Sequence, residues 1–260
     1  MQARSALAIQ KDVIFAIFIR EISSRFGNNY AFGNIWLLLE PLVMISVFIT
    51  LFGFRGIATL GNIEPPVFIL ITYVPFRMLW SGTMKKNMGA AGARGLFGFR
   101  QIRLFDVFLA YSLIEGGVYL TVKTIFVVAL LWFGFDALPA DPLLVIGYAL
   151  TMWLFAIFFG ILACMLSRIA KEVEKTINIL TFPLMLASAV IYPITIVPPE
   201  YLGFFAYNPL AHASELMREA WISGYISPIA DFKYLITWTV LLMAAAMSAY
   251  RLNWRWVMAT

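Results

Sequence analysis

The chain has few of the residues on which enzyme sites usually depend. Its 260 residues include one cysteine and one histidine. The single cysteine, Cys164, excludes an internal disulfide and a cysteine-based metal cluster. The single histidine, His212, leaves little for nucleophilic catalysis, and the GxSxG, HExxH and GxxxxGK[ST] patterns are missing from the sequence. We therefore expect no catalytic residue, no metal site and no cofactor bound by this chain.

Charged residues are also scarce. They make up 13% of the chain and hydrophobic residues 62%, whereas soluble domains have about a quarter and about half. This balance excludes an ordinary soluble domain. The apolar residues form long unbroken blocks rather than alternating segments of about ten residues, which excludes a porin-type barrel. The sequence predicts an all-α polytopic membrane protein.

Six apolar blocks are each long enough to cross about 30 Å of hydrocarbon as a helix. They cover residues 35–54, 67–84, 105–133, 143–166, 176–197 and 232–250. With both termini in the cytoplasm, fourteen of the 19 Lys and Arg residues fall on the cytoplasmic side and three on the outer side. Because basic residues in short loops favour the cytoplasm, we predict one domain over residues 1–260 with six spans and both termini inside.

An amphipathic segment precedes the first span. The stretch KDVIFAIFIREISSRFG places Ile14, Phe18, Ile22 and Phe26 four residues apart, with most charges on the other side. Such a pattern predicts a helix over residues 5–28 that lies in the membrane interface.

A basic segment, KKNMGAAGARGLFGFRQIRLFD, joins the second and third spans. Arg100 and Arg103 flank apolar residues there, which favours a short amphipathic helix with one docking face. We assign residues 85–103 to a cytoplasmic loop.

The stretch YPITIVPPEYLGFFAYNPLAH, residues 192–212, is apolar but contains Pro193, Pro198, Pro199 and Pro209. Each proline lacks an N–H group, so a continuous helix is excluded. Non-helical backbone at membrane depth persists only where protein or a water-filled cavity shields it. We predict that the fifth span breaks at Pro193 and that residues 193–228 form a re-entrant element of short helices. A short interfacial hairpin is the open alternative.

Ionisable residues inside the predicted spans are costly and mark functional sites by default. They are Glu40, Arg77, Glu115 and Lys123. A structural role is the alternative: Glu115 and Lys123 would pair across helices, and Glu40 would satisfy backbone donors near a proline. Aromatic side chains in the same regions suit stacking on sugar rings, and they are Trp36, Tyr73, Trp80 and Tyr192.

The order of these parts resembles the ABC-2 family of exporter permeases. The likeness covers the whole chain and rests on RFGNNYAFGNIWLLLEP at 25–41, PPVFILITYVPFRMLW at 65–80 and NPLAHASELMREA at 208–220. More narrowly, the sequence is similar to the capsule polysaccharide export permeases of Gram-negative bacteria. That resemblance implies ATP-driven export of a lipid-linked acidic polysaccharide across the inner membrane. Permeases for O-antigen or teichoic acid share the same plan and remain alternatives.

The resemblance also implies partners. The permease would form a homodimer with two cytoplasmic ABC ATPase subunits, which would hold ATP and Mg in place of this chain. A periplasmic polysaccharide co-polymerase and an outer-membrane export protein would continue the conduit.

Three sets of site residues follow from these arguments and from the resemblance. The candidates for the substrate path are Arg20, Arg25, Trp36, Glu40, Tyr73, Arg77, Trp80 and Tyr192. The candidates for ATPase coupling are Lys85, Lys86, Arg94, Phe97, Arg100 and Arg103. The candidates for a periplasmic gate are Pro193, Pro198, Pro199, Tyr201, Phe204 and Phe205.

Two other functions are consistent with the residues alone. A membrane-embedded glycosyltransferase or ligase would use His212 and Glu215 in the outer segment. An ATP-independent flippase or channel would need no ATPase.

Overall fold

The structure is a computed structural model and describes residues 6–27, 39–40, 42–44, 46–47, 50–51, 63–98 and 101–259. Every regular element in these ranges is helical, so the predicted all-α class is confirmed for this part of the chain. The first half has helices α1 (Ala6–Gly27), α2 (Pro65–Val74), α3 (Thr83–Met88), α4 (Arg94–Phe97) and α5 (Leu104–Trp132). The second half has helices α6 (Pro142–Ile169), α7 (Glu172–Ala187), α8 (Leu202–Ala206), α9 (Pro209–Trp221) and α10 (Phe232–Ala259).

Four helices in the described residues are long and apolar enough to cross a membrane. They are Pro65–Met88, Leu104–Trp132, Pro142–Ile169 and Phe232–Val257. They match the second, third, fourth and sixth predicted spans. The first of them runs on through Met88, so the start of the predicted loop 85–103 belongs to a helix. Much of the first predicted span, 35–54, lies outside the described residues, although those described there are helical.

The fifth predicted span, 176–197, is wrong in its bounds. Helix α7 ends at Ala187, well before the predicted break at Pro193, and it contains Pro183 in its interior. At 16 residues it is about 24 Å long, which is shorter than the roughly 30 Å of a bilayer core. A proline in the sequence therefore did not mark the point at which this helix stops.

Side chains from α9 and its N-cap explain why α7 stops where it does. The last carbonyl groups of a helix have no partner inside the helix. The Asn208 amide donates to the Ala187 carbonyl at 3.0 Å and to Ser188 Oγ at 2.9 Å. Ala189 takes a positive φ of 50°, and its carbonyl accepts from Arg218. Because these partners come from residues far along the chain, the local sequence around 187 does not reveal them.

Helix α1 packs along α5 through a narrow apolar face. The buried side chains on that face are Val13 and Ile17, whereas Phe15 is 63% exposed. Ile14 and Phe18, on the predicted apolar face, are only partly buried. Gln10 Nε2 donates to Asp106 Oδ1 at 3.0 Å, and Asp106 also accepts from the Arg103 N–H at the start of α5. The buried face of α1 is therefore shifted by one residue from the predicted apolar face.

Helices α3 and α6 cross at Gly160. A Cβ atom built on Gly160 would lie 2.7 Å from Asn87 Cβ and 2.8 Å from the Met84 carbonyl oxygen. The Asn87 amide in turn donates to Ser112 Oγ at 2.9 Å on α5. Small residues at such crossings let helix backbones approach closely inside membranes.

Gly160→Ala is expected to lower the free energy of unfolding by about 1–3 kcal/mol, because the added methyl group overpacks this crossing. The midpoint of thermal unfolding in detergent measures the effect. Gly147→Ala on the same helix is the matched control, since a Cβ there meets nothing within 4 Å. Equal midpoints for the two variants would contradict the expected strain.

Candidate substrate path and coupling surface

The helix that begins at Pro65 widens into a π-helix between Pro75 and Gly82. Proline cannot donate the hydrogen bond of an ordinary helical turn, which favours a local change of pattern. Such π-helical segments occur frequently at functional sites. This one carries Arg77 in its middle, and the segment between Pro75 and Ser81 is otherwise buried.

Arg77 pairs with Glu40 on the helical residues around 40. Arg77 Nε lies 2.5 Å from Glu40 Oε1, and the two side chains are 38% and 35% exposed. Tyr73, one turn before Arg77, interacts electrostatically with both charged groups. The structure thus brings three predicted path residues together, with Arg77 and Glu40 partly exposed and Tyr73 buried.

The other predicted path residues lie elsewhere. Trp80 is 1% exposed, and its indole ring packs between Phe76 and Phe159 at centroid distances of 4.9 and 6.2 Å. The hydroxyl of Tyr192 donates to the Leu186 carbonyl at 2.7 Å. Arg20 is exposed on α1. Trp36 and the side chain of Arg25 lie outside the described residues.

The predicted coupling residues surround the contact of α1 with α3 and α5. Lys86 Nζ lies 2.5 Å from Glu21 Oε1 and 5.3 Å from the centre of the Tyr111 ring. Phe97 on the short helix α4 packs partly against the apolar cluster that α1, α5 and α6 share. Lys85 is partly buried and Arg103 is exposed. The side chain of Arg94 and all of Arg100 lie outside the described residues.

Helix α9 carries a buried polar network that the sequence reasoning did not predict. Glu215 and Arg218 form an ion pair, and both side chains are 0% exposed. Glu215 Oε2 also accepts from the Tyr225 hydroxyl at 2.8 Å. Burial and the neighbouring Glu215 carboxylate raise the pKa of Tyr225, so the hydroxyl remains a donor at physiological pH.

Arg218 links this network to the turn after α7. Its guanidinium donates to the Ala189 carbonyl and, at 3.2 Å, to the Tyr192 carbonyl. It also lies 4.5 Å from the centre of the Phe68 ring on α2. A planar group with five donors suits several acceptors at once. The spacing of Glu215 and Arg218, one helical turn apart, is the feature of the sequence that indicates such a pair.

The predicted gate residues form an open apolar surface after that turn. Two 3₁₀ turns, Ile194–Ile196 and Pro199–Tyr201, lead into α8. Phe204 is 74% exposed, Tyr201 is half exposed and Phe205 packs edge-on against Tyr192. Pro198 and Pro199 are exposed, whereas Pro193 is buried. The predicted short helices are present as α8 and α9.

His212 and Glu215 are not arranged as a catalytic pair. The imidazole Nδ1 accepts from the Asp231 N–H at 3.1 Å, and Nε2 lies 2.8 Å from the Ala206 carbonyl. Both ring nitrogens therefore serve backbone groups, which fixes the neutral tautomer with hydrogen on Nε2. Glu215 is held by Arg218 and Tyr225. These contacts give the two residues structural roles.

Lys123 is not paired with Glu115. Its Nζ donates to the Tyr119 hydroxyl at 2.8 Å and lies 4.4 Å from the centre of the Trp221 ring. Glu115 lies two turns away, where its carboxylate approaches Gly82. Lys123 thus contacts another helix through Trp221, and the predicted structural role of Glu115 and Lys123 stays a prediction.

Four helices of membrane length, and the pairing of Arg77 on one of them with Glu40, are features of a polytopic membrane protein. The family profile "ABC-2 type transporter" matches residues 12–222. The chain belongs to the ABC-2 type transporter family. As a member it is a transport permease and not an enzyme, and the family implies an ABC ATPase partner.

The chain is similar to several capsule export proteins along nearly its whole length. It is 31% identical to the polysialic acid transport protein KpsM of Escherichia coli, over 96% of both chains. It is 26% identical to the capsule polysaccharide export inner-membrane protein CtrC of Neisseria meningitidis serogroup B, over 92% of this chain and 89% of CtrC. It is 24% identical to the capsule polysaccharide export inner-membrane protein BexB of Haemophilus influenzae, over 94% of this chain and 92% of BexB.

Proposed function

We propose that this chain is the permease subunit of an ATP-driven exporter of a lipid-linked acidic capsular polysaccharide. The observation that carries the proposal is the 31% identity to a polysialic acid transport protein over 96% of both chains. Polysialic acid is an acidic polymer, and the predicted path in this chain includes a partly exposed arginine, Arg77. The chain lacks a phosphate-binding loop, so the energy for export comes from a partner.

In this proposal the chain crosses the inner membrane six times, with both termini in the cytoplasm. Residues 35–54 supply the first span and α7 supplies the fifth. Because α7 is shorter than the bilayer core, the turn after Ala187 would lie below the outer membrane surface in this arrangement, with its backbone groups shielded by α9. Helices α8 and α9 then form the re-entrant element, and the exposed aromatic side chains of α8 line its outer rim.

Two copies of the permease enclose the path, with the Glu40 and Arg77 pair on its wall. A cationic and an anionic side chain next to each other suit a polymer that carries both carboxylates and hydroxyl groups. Arg77 can donate to the carboxylates, and Glu40 can accept from the hydroxyl groups. Arg20 and Arg25 lie near the cytoplasmic entrance, where they meet the anionic end of the polymer.

Two ATPase subunits bind ATP and Mg and dock on the surface formed by α4 and the residues around Lys86. The short helix α4 fits a coupling role because it rests on the apolar cluster shared by α1, α5 and α6. Motion of α4 would therefore be transmitted to two helices of membrane length. A co-polymerase and an outer-membrane protein receive the polymer beyond the gate at Tyr201, Phe204 and Phe205.

Deletion of the gene in its own organism tests the proposal. The expected result is loss of the surface capsule and accumulation of the polymer inside the cell, both measured with a capsule-specific antibody before and after permeabilisation. Expression of the wild-type chain restores the surface signal. A normal capsule in the deletion strain would refute the proposal, and loss of O-antigen instead of capsule would identify the alternative substrate.

Variants in the same assay separate the parts of the proposal. Arg94→Glu with Arg100→Glu is expected to prevent both export and recovery of the ATPase with the purified permease, whereas Arg251→Glu at the end of α10 retains both. Tyr201→Cys, oxidised to cross-link two copies, is expected to block export while ATP hydrolysis continues. Export at wild-type levels in either case would remove that residue set from the mechanism.

A further inference from the structure

An apolar crevice opens between helices α5 and α6, on membrane-length segments. It encloses about 590 Å³. Its walls are mostly aliphatic side chains, several of them about half exposed at the protein surface: Leu113, Leu120, Val128, Ile146 and Leu150. From Leu113 to Val128 the wall of α5 is about 22 Å long. The crevice is thus long, apolar and open toward the surrounding lipid.

Three helices, α5, α6 and α9, each contribute one buried polar group to the crevice. Lys123 is 8% exposed, and within the described ranges no carboxylate forms an ion pair with it. The indole N–H groups of Trp153 and Trp221 are also buried, and neither has a hydrogen-bond partner in the part of the chain that the structure describes. All three residues line the crevice.

Buried donors without acceptors destabilise a protein, and an unpaired ammonium group at membrane depth does so more strongly. An acceptor from outside the protein removes that cost. A phosphate group supplies several anionic oxygens, and an attached acyl chain matches the aliphatic walls. We propose that this crevice binds one anionic glycerophospholipid of the surrounding bilayer, with its acyl chain along α5 past Trp153 and its phosphate near Lys123 and Trp221.

The depth of Lys123 is compatible with this arrangement. Helix α5 has 29 residues and is about 43 Å long, so it exceeds a 30 Å hydrocarbon core by about 13 Å. With the excess shared between its ends, Lys123 lies about 7 Å below the outer boundary. Its ammonium group contacts the ring of Trp221, whose carbonyl accepts from the Ala140 N–H in the loop after α5, so the group lies toward that end of the crevice.

A phospholipid fits better than the lipid end of the proposed substrate. Neither Glu40 nor Arg77 is among the residues that line the crevice. An acyl chain in the bilayer reaches an open lateral crevice without entering the path. Binding there would join α5 to α6 and would stabilise the permease in membranes rich in anionic lipid.

Gly117 allows a test that leaves Lys123 in place. A Cβ built on Gly117 meets nothing within 4 Å, and Gly117 lines the crevice. Gly117→Leu therefore adds a side chain to the crevice lining from a Cβ position that is free of contacts. Gly147→Leu is the matched control, because a Cβ there is also free of contacts and Gly147 is outside the crevice lining.

The experiment is native mass spectrometry of the full-length chain with phosphatidylglycerol or phosphatidylcholine of identical acyl chains. The wild-type chain is expected to bind phosphatidylglycerol about tenfold more tightly than phosphatidylcholine, because Lys123 makes a charge-assisted contact with the head group that has a net negative charge. Gly117→Leu is expected to lose that binding, and Gly147→Leu is expected to keep it. Lys123→Gln is expected to bind both lipids equally.

Three outcomes would overturn the assignment. The first is equal binding of the two lipids by the wild-type chain, and the second is wild-type binding by Gly117→Leu. The third is displacement of phosphatidylglycerol by purified lipid-linked polysaccharide at a concentration far below that of the phosphatidylglycerol. That result would show that the substrate occupies the crevice. The binding result is independent of the deletion experiment, so the two proposals succeed or fail separately.

Discussion

Replacement of Arg218 with methionine is expected to prevent the accumulation of folded protein. Methionine has a similar length but no donors, so Glu215 would keep a buried charge without its partner. Removing one member of a buried ion pair costs about 3–5 kcal/mol. The carbonyls of Ala189 and Tyr192 would lose their donor as well. The total approaches the stability of a typical domain, about 5–15 kcal/mol.

Fluorescence-detected size exclusion of a tagged chain in detergent measures this effect. Lys233→Met on α10 is the control, because Lys233 is exposed. The double variant Glu215→Leu with Arg218→Met removes the stranded charge and is expected to recover part of the folded fraction. Full recovery would mean that the carbonyl contacts contribute nothing, and a normal profile for Arg218→Met alone would refute the role of the network.

Arg77→Glu is expected to lower capsule export at least tenfold while the amount of permease in the membrane stays unchanged. The amount is unaffected because a pair that is about one-third exposed contributes little to stability. Export falls because two carboxylates would then face an anionic polymer. Surface capsule per molecule of permease is the quantity to measure.

The swap Glu40→Arg with Arg77→Glu distinguishes two roles for the pair. If Arg77 itself meets the polymer at the π-helix, the swapped pair is expected to leave export low. Restored export would show instead that the pair only holds its two helices together. Arg255→Glu at the exposed C-terminal end of α10 is the control for a change of charge alone and is expected to export normally.

Much of the fold could be predicted from the sequence because bilayer length dictates it. Four of the six predicted spans coincide with membrane-length helices, since about 20 apolar residues leave the backbone no other solution in lipid. The end of α7 could not be predicted in this way. It is set by Asn208 and Arg218, whose contacts with residues 187–192 depend on the tertiary structure.

The candidate site, like the fold, could be predicted from the sequence only in part. Glu40 and Arg77 were both identified as costly ionisable residues, but their pairing with each other became visible only in the structure. Trp80 was predicted from its sequence position beside Arg77, yet the π-helical turn directs it into the core. Lys123 was recognised as buried, whereas its setting between Tyr119 and Trp221 joins elements almost a hundred residues apart.

The dependence of α7 on Arg218 has a consequence for biosynthesis. The donor to the Ala189 carbonyl is Arg218, which is 29 residues further along the chain. At about 5–20 residues per second, that donor is synthesised roughly 1–6 s later. During this interval the end of α7 has polar backbone groups without their final partners and resists stable placement in lipid. Residues 172–221 are therefore expected to enter the membrane together, as one late step of insertion.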